Sequence, residues 1–120
     1  TRIGHAVRIL EDHDLVNFMR ERGIGIETSL TSNVHTNTVP SYAEHPLKNF
    51  LDLGLLATIN TDDPGISPVT LVDEFRFAVE KAGLTAADTR KAQENALSIA
   101  FLSEKEKQGL RSVKNRLAEK

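Results

Sequence analysis

Two adjacent carboxylates, Asp62 and Asp63, follow the apolar run Leu55-Leu56-Ala57-Thr58-Ile59 inside the stretch Asn60-Thr61-Asp62-Asp63-Pro64-Gly65. Along a strand, adjacent side chains point to opposite sides. At a strand's end the same pair can serve two ligands from one corner, a metal ion and a polar substrate. Carboxylate oxygen is a normal zinc ligand, which makes Asp62 the candidate metal ligand, although a catalytic zinc takes about three protein ligands plus water. No second cluster of metal ligands occurs in the chain. The plain alternative is a turn or helix cap, since Asp-Pro commonly opens turns. His5, beside Gly4, can act as a base or as an electrostatic partner of a hydroxide; the structural alternative is a hydrogen-bonded core histidine. His45, before Pro46, reads as a cap or packing residue, and His13 and His35 as surface residues. Ser32-Asn33 is a weak signal, because such pairs mark turns.

The elements that must position these residues alternate. Ile3 to Val7 is a short strand. Asp12 caps a helix running through Glu21 or Arg22, with Leu15, Val16, Phe18 and Met19 as its apolar stripe and Gly23 at its end. Ile24 to Leu30 reads as a second strand, and residues 31–43 as polar and turn-like. Pro46 opens a helix bearing Leu47, Phe50 and Leu51, with Gly54 beyond it. Leu55 to Asn60 is the third strand. Ser67-Pro68 signals a helix with Leu71, Phe75 and Val79 at four-residue spacing. Thr85 and Asp88 form a capping-box-like start for a helix carrying Ala92, Ala96, Ile99 and Ala100. Ser103 and Glu106 open a last helix, with Leu110, Val113 and Leu117 on its buried side.

This β-α-β-α-β-α order implies an α/β fold with parallel strands joined by crossover helices. Three strands do not close a barrel, and a parallel sheet is normally covered on both faces. A (β/α)₈ barrel takes about 250 residues. The 120 residues are therefore expected to be its last three βα units plus closing helices, a partial barrel with no separate second domain. Thr1-Arg2-Ile3-Gly4-His5 enters a strand almost at once, which also suggests a piece of a longer chain. Open sheet edges are expected on both sides, with Ile24-Gly25-Ile26 among the exposed apolar candidates. In such a barrel chemistry lies at the carboxyl ends of the strands. His5, then Glu27, Ser29, Ser32 and Asn33, then Asp62 and Asp63 would share one rim.

Composition narrows the classes. The net charge of -2 gives no footprint for nucleic acid, and no apolar run has the length of a membrane span. There is no cysteine, so neither a disulfide framework nor a thiolate metal site exists. The default setting is soluble and cytoplasmic. Apolar residues make up 39% and aromatics 5%, so the core must be aliphatic.

The residues that carry chemistry resemble one family when taken in order. Arg2-Ile3-Gly4-His5, Ile26-Glu27 leading to Leu30-Thr31-Ser32-Asn33, His45-Pro46-Leu47, and Ile59-Asn60-Thr61-Asp62-Asp63-Pro64-Gly65 occur as in bacterial adenosine deaminases. The likeness continues through Asn95-Ala96 and Ala100-Phe101-Leu102 and covers essentially the whole chain. It implies a zinc-dependent (β/α)₈ barrel hydrolysing adenosine and 2′-deoxyadenosine to the inosines and ammonia, a step of purine salvage. It assigns Asp62 as a zinc ligand that also holds the attacking water, Asp63 to the purine N7, and His5 to orienting the hydroxide that attacks C6.

Two departures stand out. The family's Gly-His-Gly is Gly4-His5-Ala6 here, and alanine restricts the backbone. The His-x-His pair and the His-Ala-Gly-Glu element, which supply the other zinc ligands and the acid at N1, are absent from this sequence. The resemblance therefore implies one zinc ligand of four in this chain, with the missing amino-terminal part of the barrel as its partner. Without that part the chain is expected to be inactive. Two further readings stay open: an adenine or aminofutalosine deaminase on the same fold, and a non-catalytic part-barrel that forms a homo-oligomer or pairs with the missing half. The cysteine-ligated nucleobase deaminases are excluded by the lack of Cys.

Overall fold

Three short parallel strands in the order β1-β2-β3 form the centre of the computed structural model, which describes residues 1–118. They are β1 (Arg2–Gly4), β2 (Gly25–Thr28) and β3 (Leu56–Ile59). Ile3 pairs with Ile26, and Ile26 with Ala57. The helices are α1 (His13–Glu21), α2 (Leu30–His35), α3 (Leu47–Asp52), α4 (Leu71–Glu80), α5 (Ala86–Ile99) and α6 (Glu104–Ala118). The mixed α/β order with parallel strands agrees with the expected partial barrel.

Most helix starts obey local rules. The Asp12 carboxylate accepts from the backbone N–H groups of Asp14 and Leu15, each at 3.0 Å. Thr85 and Asp88 make the reciprocal capping box, and Ser103 and Glu106 exchange the same two bonds. Helix α4 starts later than Ser67-Pro68 suggests, because Thr70 and Asp73 form its capping box.

Ile26, Leu30, Leu47, Phe50, Leu51, Leu55 and Ala57 form the aliphatic core, joined by Val16 and Met19 of α1 and Ala78 of α4. Burying one such side chain is worth about 1.5–3 kcal/mol. The stripe expected on α1 is half right, since Leu15 and Phe18 are exposed. On α4 the expected face is only partly inward: Phe75 packs against the core. Leu71 and Val79 are exposed while Glu74 and Ala78 are buried, because the Glu74 carboxylate is needed inside, as shown below. Ala96 is exposed too, and Asn95 takes the buried position beside Ala92. On α6, Leu110 and Val113 are exposed rather than buried: the helix is tied down by Lys107, which donates to the Ser98 carbonyl at 2.9 Å. The Leu117 side chain lies outside the described residues.

The sheet edges are unequal. Ile24-Gly25-Ile26 is not an edge: β2 is central, and Gly25 and Ile26 are buried. Ile99 of α5 lies so close to Gly25 that a β-carbon there would meet its side chain at 2.5 Å, so any larger residue would force Ile99 to shift. The outer edge of β3 is covered by α5. The Asn95 amide donates to the Ala57 carbonyl at 2.9 Å, on the side of β3 that faces away from β2. The edge of β1 has no such cover among the described residues, and Ile3 is exposed there.

Candidate functional site

Each strand delivers one part of the site at its carboxyl end. β1 stops at Gly4, earlier than expected, because His5 and Ala6 both adopt the left-handed region (φ 60° and 51°). The chain turns out of the sheet there and sets the His5 ring on the rim. After β3 the chain turns through Asp62, also left-handed at φ 62°, a conformation that aspartate tolerates better than most residues.

After β2 comes α2, where turn-like structure is expected from sequence. Its N-cap residue, Ser29, makes no side-chain cap. The cap comes instead from α4: the Glu74 carboxylate, fully buried, accepts from Leu30 N–H at 3.0 Å and Thr31 N–H at 3.2 Å. Burial pushes the Glu74 carboxyl above its ordinary range, and the hydrogen bonds from Thr31 and Leu30 oppose that shift. The negative end of this capping pair lies where the helix dipole favours it. Helix α2 then presents Ser32 and Asn33 to the rim.

These side chains converge. Ser32 Oγ donates to Asp62 Oδ2 at 2.6 Å, and His5 Nε2 lies 3.9 Å from the same oxygen. Both His5 and Asp62 are partly open to solvent, with side chains 43% and 42% exposed. On its other side, His5 Nδ1 meets the Asn33 amide nitrogen at 3.1 Å. The Asn33 amide oxygen accepts from His45 Nε2 at 3.0 Å, and His45 Nδ1 accepts from Leu47 N–H at 3.1 Å. His45 is buried. Its pKa is pushed down to about 4, first by loss of solvent and then by repulsion from His5, so it stays neutral.

An open cleft of about 580 Å³ runs between His5, Glu27, Ser29 and Asp62, with Leu71 and Ala96 as apolar wall. Glu27 pairs with Arg2 at 3.2 Å. Asp63 does not line this cleft. It is exposed, and its Oδ1 accepts from Gly65 N–H at 2.9 Å, so it serves the turn. His5 and Asp62 are thus brought together, while Asp63 stands beside them on the loop. His13 and His35 are exposed, as expected.

The donor chemistry suits a metal in part. Asp62 offers a carboxylate at the rim, held in place by Ser32. Among the described residues, however, no group of three or more His, Cys, Asp or Glu converges as a metal site. A catalytic zinc built on Asp62 would need further ligands from outside this chain.

Sequence reasoning missed Glu74 and undervalued Asn33 and His45. A signal existed for the last two: each is a polar residue next to a strand end or helix start at the same rim. Glu74 carried none, since it looks like any helix-surface glutamate.

Comparison with known proteins bears on the chain's family and fold. Residues 1–116 match the adenosine deaminase family. The adenosine deaminase of Serratia proteamaculans (strain 568) is 54% identical over 110 residues, 92% of this chain and 33% of that protein. The adenine deaminase from Arthrobacter aurescens superposes with a TM-score of 0.91 at 26% identity, covering 99% of this chain and 36% of that one. An amidohydrolase from Burkholderia ambifaria with bound Zn gives 0.82 at 26% identity, over 92% of this chain and 31% of its own. The chain spans about one third of the length of the relatives it matches, and over that third it belongs to the adenosine deaminase family.

Proposed function

We propose that this chain is the carboxyl-terminal third of a zinc-dependent enzyme that hydrolyses adenosine and 2′-deoxyadenosine to the inosines and ammonia. The observation that carries the reading is the convergence of Ser32 Oγ and His5 Nε2 on Asp62 Oδ2 at the carboxyl end of the sheet. Family membership supports it, and the identity to adenosine deaminases favours adenosine over free adenine. The amino-terminal two thirds of the relatives' length would supply the remaining metal ligands and the acid.

In this reading Asp62 is the zinc ligand. Zinc there would lower the pKa of a bound water to about 7, giving a nucleophile at neutral pH. Ser32 holds Oδ2 of Asp62 and so fixes the carboxylate's orientation. His5 Nε2, beside that carboxylate, positions the attacking oxygen by hydrogen bonding. Asp63 meets the purine N7. Its Oδ1 is engaged by Gly65, which leaves Oδ2 for the ring. Both groups are acceptors in their ordinary state, so one of them carries the proton when the bond forms. Leu71 and Ala96 provide apolar surface for the base.

The test is ultraviolet detection of inosine formed by the full-length polypeptide that carries this segment, with zinc present. Turnover of adenosine that Asp62→Ala reduces at least about 10³-fold, together with loss of bound zinc, is the expected result. An untouched adenosine pool would sink the reading. Faster turnover of free adenine would move it to the adenine deaminase branch, which the Arthrobacter structure represents. A second reading, a non-catalytic part-barrel that self-associates, is favoured by the open β1 edge and by Phe101, which is 78% exposed. Sedimentation of the 120-residue chain alone separates the two: a monomer argues against self-association.

A further inference from the structure

We propose that His45 and Asn33 are positioning residues that dictate which nitrogen of His5 carries the proton, holding the ring with Nδ1 bare and Nε2–H turned to Asp62. The inference rests on the reading of His5 given under the proposed function.

The direction of this relay is fixed at its far end. A backbone N–H can only donate. Leu47 N–H points at His45 Nδ1 at 3.1 Å, so Nδ1 must be the bare nitrogen of His45. A neutral imidazole has one N–H, so it sits on Nε2. That N–H faces Asn33 at 3.0 Å and requires the amide oxygen there. The amide nitrogen is thereby turned to His5, and at 3.1 Å its N–H donates to His5 Nδ1. A hydrogen on His5 Nδ1 would face another hydrogen. The remaining nitrogen, Nε2, therefore carries the proton, and it lies 3.9 Å from Asp62 Oδ2.

Two observations make the relay rigid. Asn33 and His45 are both almost fully buried, at 2% and 4% exposure, so water does not compete for their bonds. Burial also keeps His45 neutral, so it does not gain a second N–H that would clash with Leu47. An amide between two rings transmits polarity, because its two ends are a fixed donor and a fixed acceptor. In catalysis a histidine in the wrong tautomer presents a lone pair where a hydrogen is needed, and such errors cost several orders of magnitude.

The test uses the full-length, zinc-loaded polypeptide with ¹⁵N-labelled histidine, observed at about pH 8 so that neutral rings are compared. The wild type is expected to show Nε2–H with bare Nδ1 for both His5 and His45. Asn33→Asp replaces the amide by a two-sided acceptor. It is expected to move the His5 proton to Nδ1, leave His45 unchanged, and lower kcat roughly 10²–10⁴-fold with a smaller change in KM. If that variant fails to fold, a second pair carries the test. His45→Gln keeps a donor toward Asn33 and should retain the His5 tautomer, whereas Asn33→Ala should leave His5 a mixture. A wild-type His5 bearing its proton on Nδ1, or an Asn33→Asp or Asn33→Ala spectrum identical to wild type, would overturn the proposal. The nitrogen spectra report on His5 whether or not adenosine is the substrate, so failure of the relay and failure of the deaminase reading are separate results.

Discussion

Helices α5 and α2 begin in opposite ways. The first residues of α5 are capped from within: Thr85 and Asp88, three apart, satisfy each other's backbone. The first residues of α2 are capped from α4, by a carboxylate 44 residues further along the chain. Helix α5 covers a sheet edge, while α2 carries Ser32 and Asn33 into the site. A scaffold element can be specified by its own few residues. An element that must aim side chains at a fixed point takes its position from the tertiary structure, and a six-residue helix has little stability of its own.

Glu74→Ala should break this contrast most severely. Two buried N–H groups would lose their partner and a cavity would remain, at a cost of about 4 kcal/mol. Denaturant midpoints should report that loss, and turnover should fall as Ser32 and Asn33 drift. Glu74→Gln keeps one acceptor and should fall between. If Glu74→Ala cost no more than a surface change, α2 would prove to be self-sufficient.

Acid should reveal the second long-range dependence of the rim. The ordinary His45 pKa of 6.5 falls to about 4 in the fold. The unfolded chain therefore takes up the proton first as pH drops. The stabilisation is complete above about pH 6.5 and drains away toward pH 4, in total about 3 kcal/mol. His45→Gln should flatten that part of the stability–pH curve. A wild-type curve level across this range would contradict a buried neutral His45.

Thr85→Ala sharpens the local side of the comparison. It should cost about 1 kcal/mol in thermal or chemical unfolding and leave turnover alone, because α5 loses only its own cap. The smallest effect has the opposite sign. Ala6 sits at φ 51°, a region glycine enters without penalty. Ala6→Gly should stabilise by less than about 1 kcal/mol, since relief of strain is partly offset by the greater freedom of unfolded glycine. Destabilisation on that change would show that the alanine methyl packs usefully.

Much of this was legible in sequence because its causes are local. Asp12, Thr85 and Ser103 announce their helices within three residues. The apolar runs around Ile26 and Ala57 announce buried parallel strands, and the end of the third strand places Asp62. The rest depends on contacts between distant residues. Helix α2 was hidden because its cap lies on α4. On α4, Phe75 packs inward as its spacing suggests, but a buried Glu74 leaves Leu71 and Val79 outside. Asn33 and His45 looked like turn and cap residues, and in part they are. Their second role arises only when α2 and the loop before α3 meet beside β1.

The Asn95 amide on the β3 edge has a consequence for how copies of this chain could associate. Edge-to-edge growth of sheets requires two free sides, as a brick in a row needs two neighbours. Here one side carries α5 and the amide at Ala57, and the other has no such cover among the described residues. Two copies joining through β1 would use up the uncovered edge that the described residues show. Association through strands would then stop at a pair, and the route to an open-ended fibre would be closed by a side chain far from the chemistry.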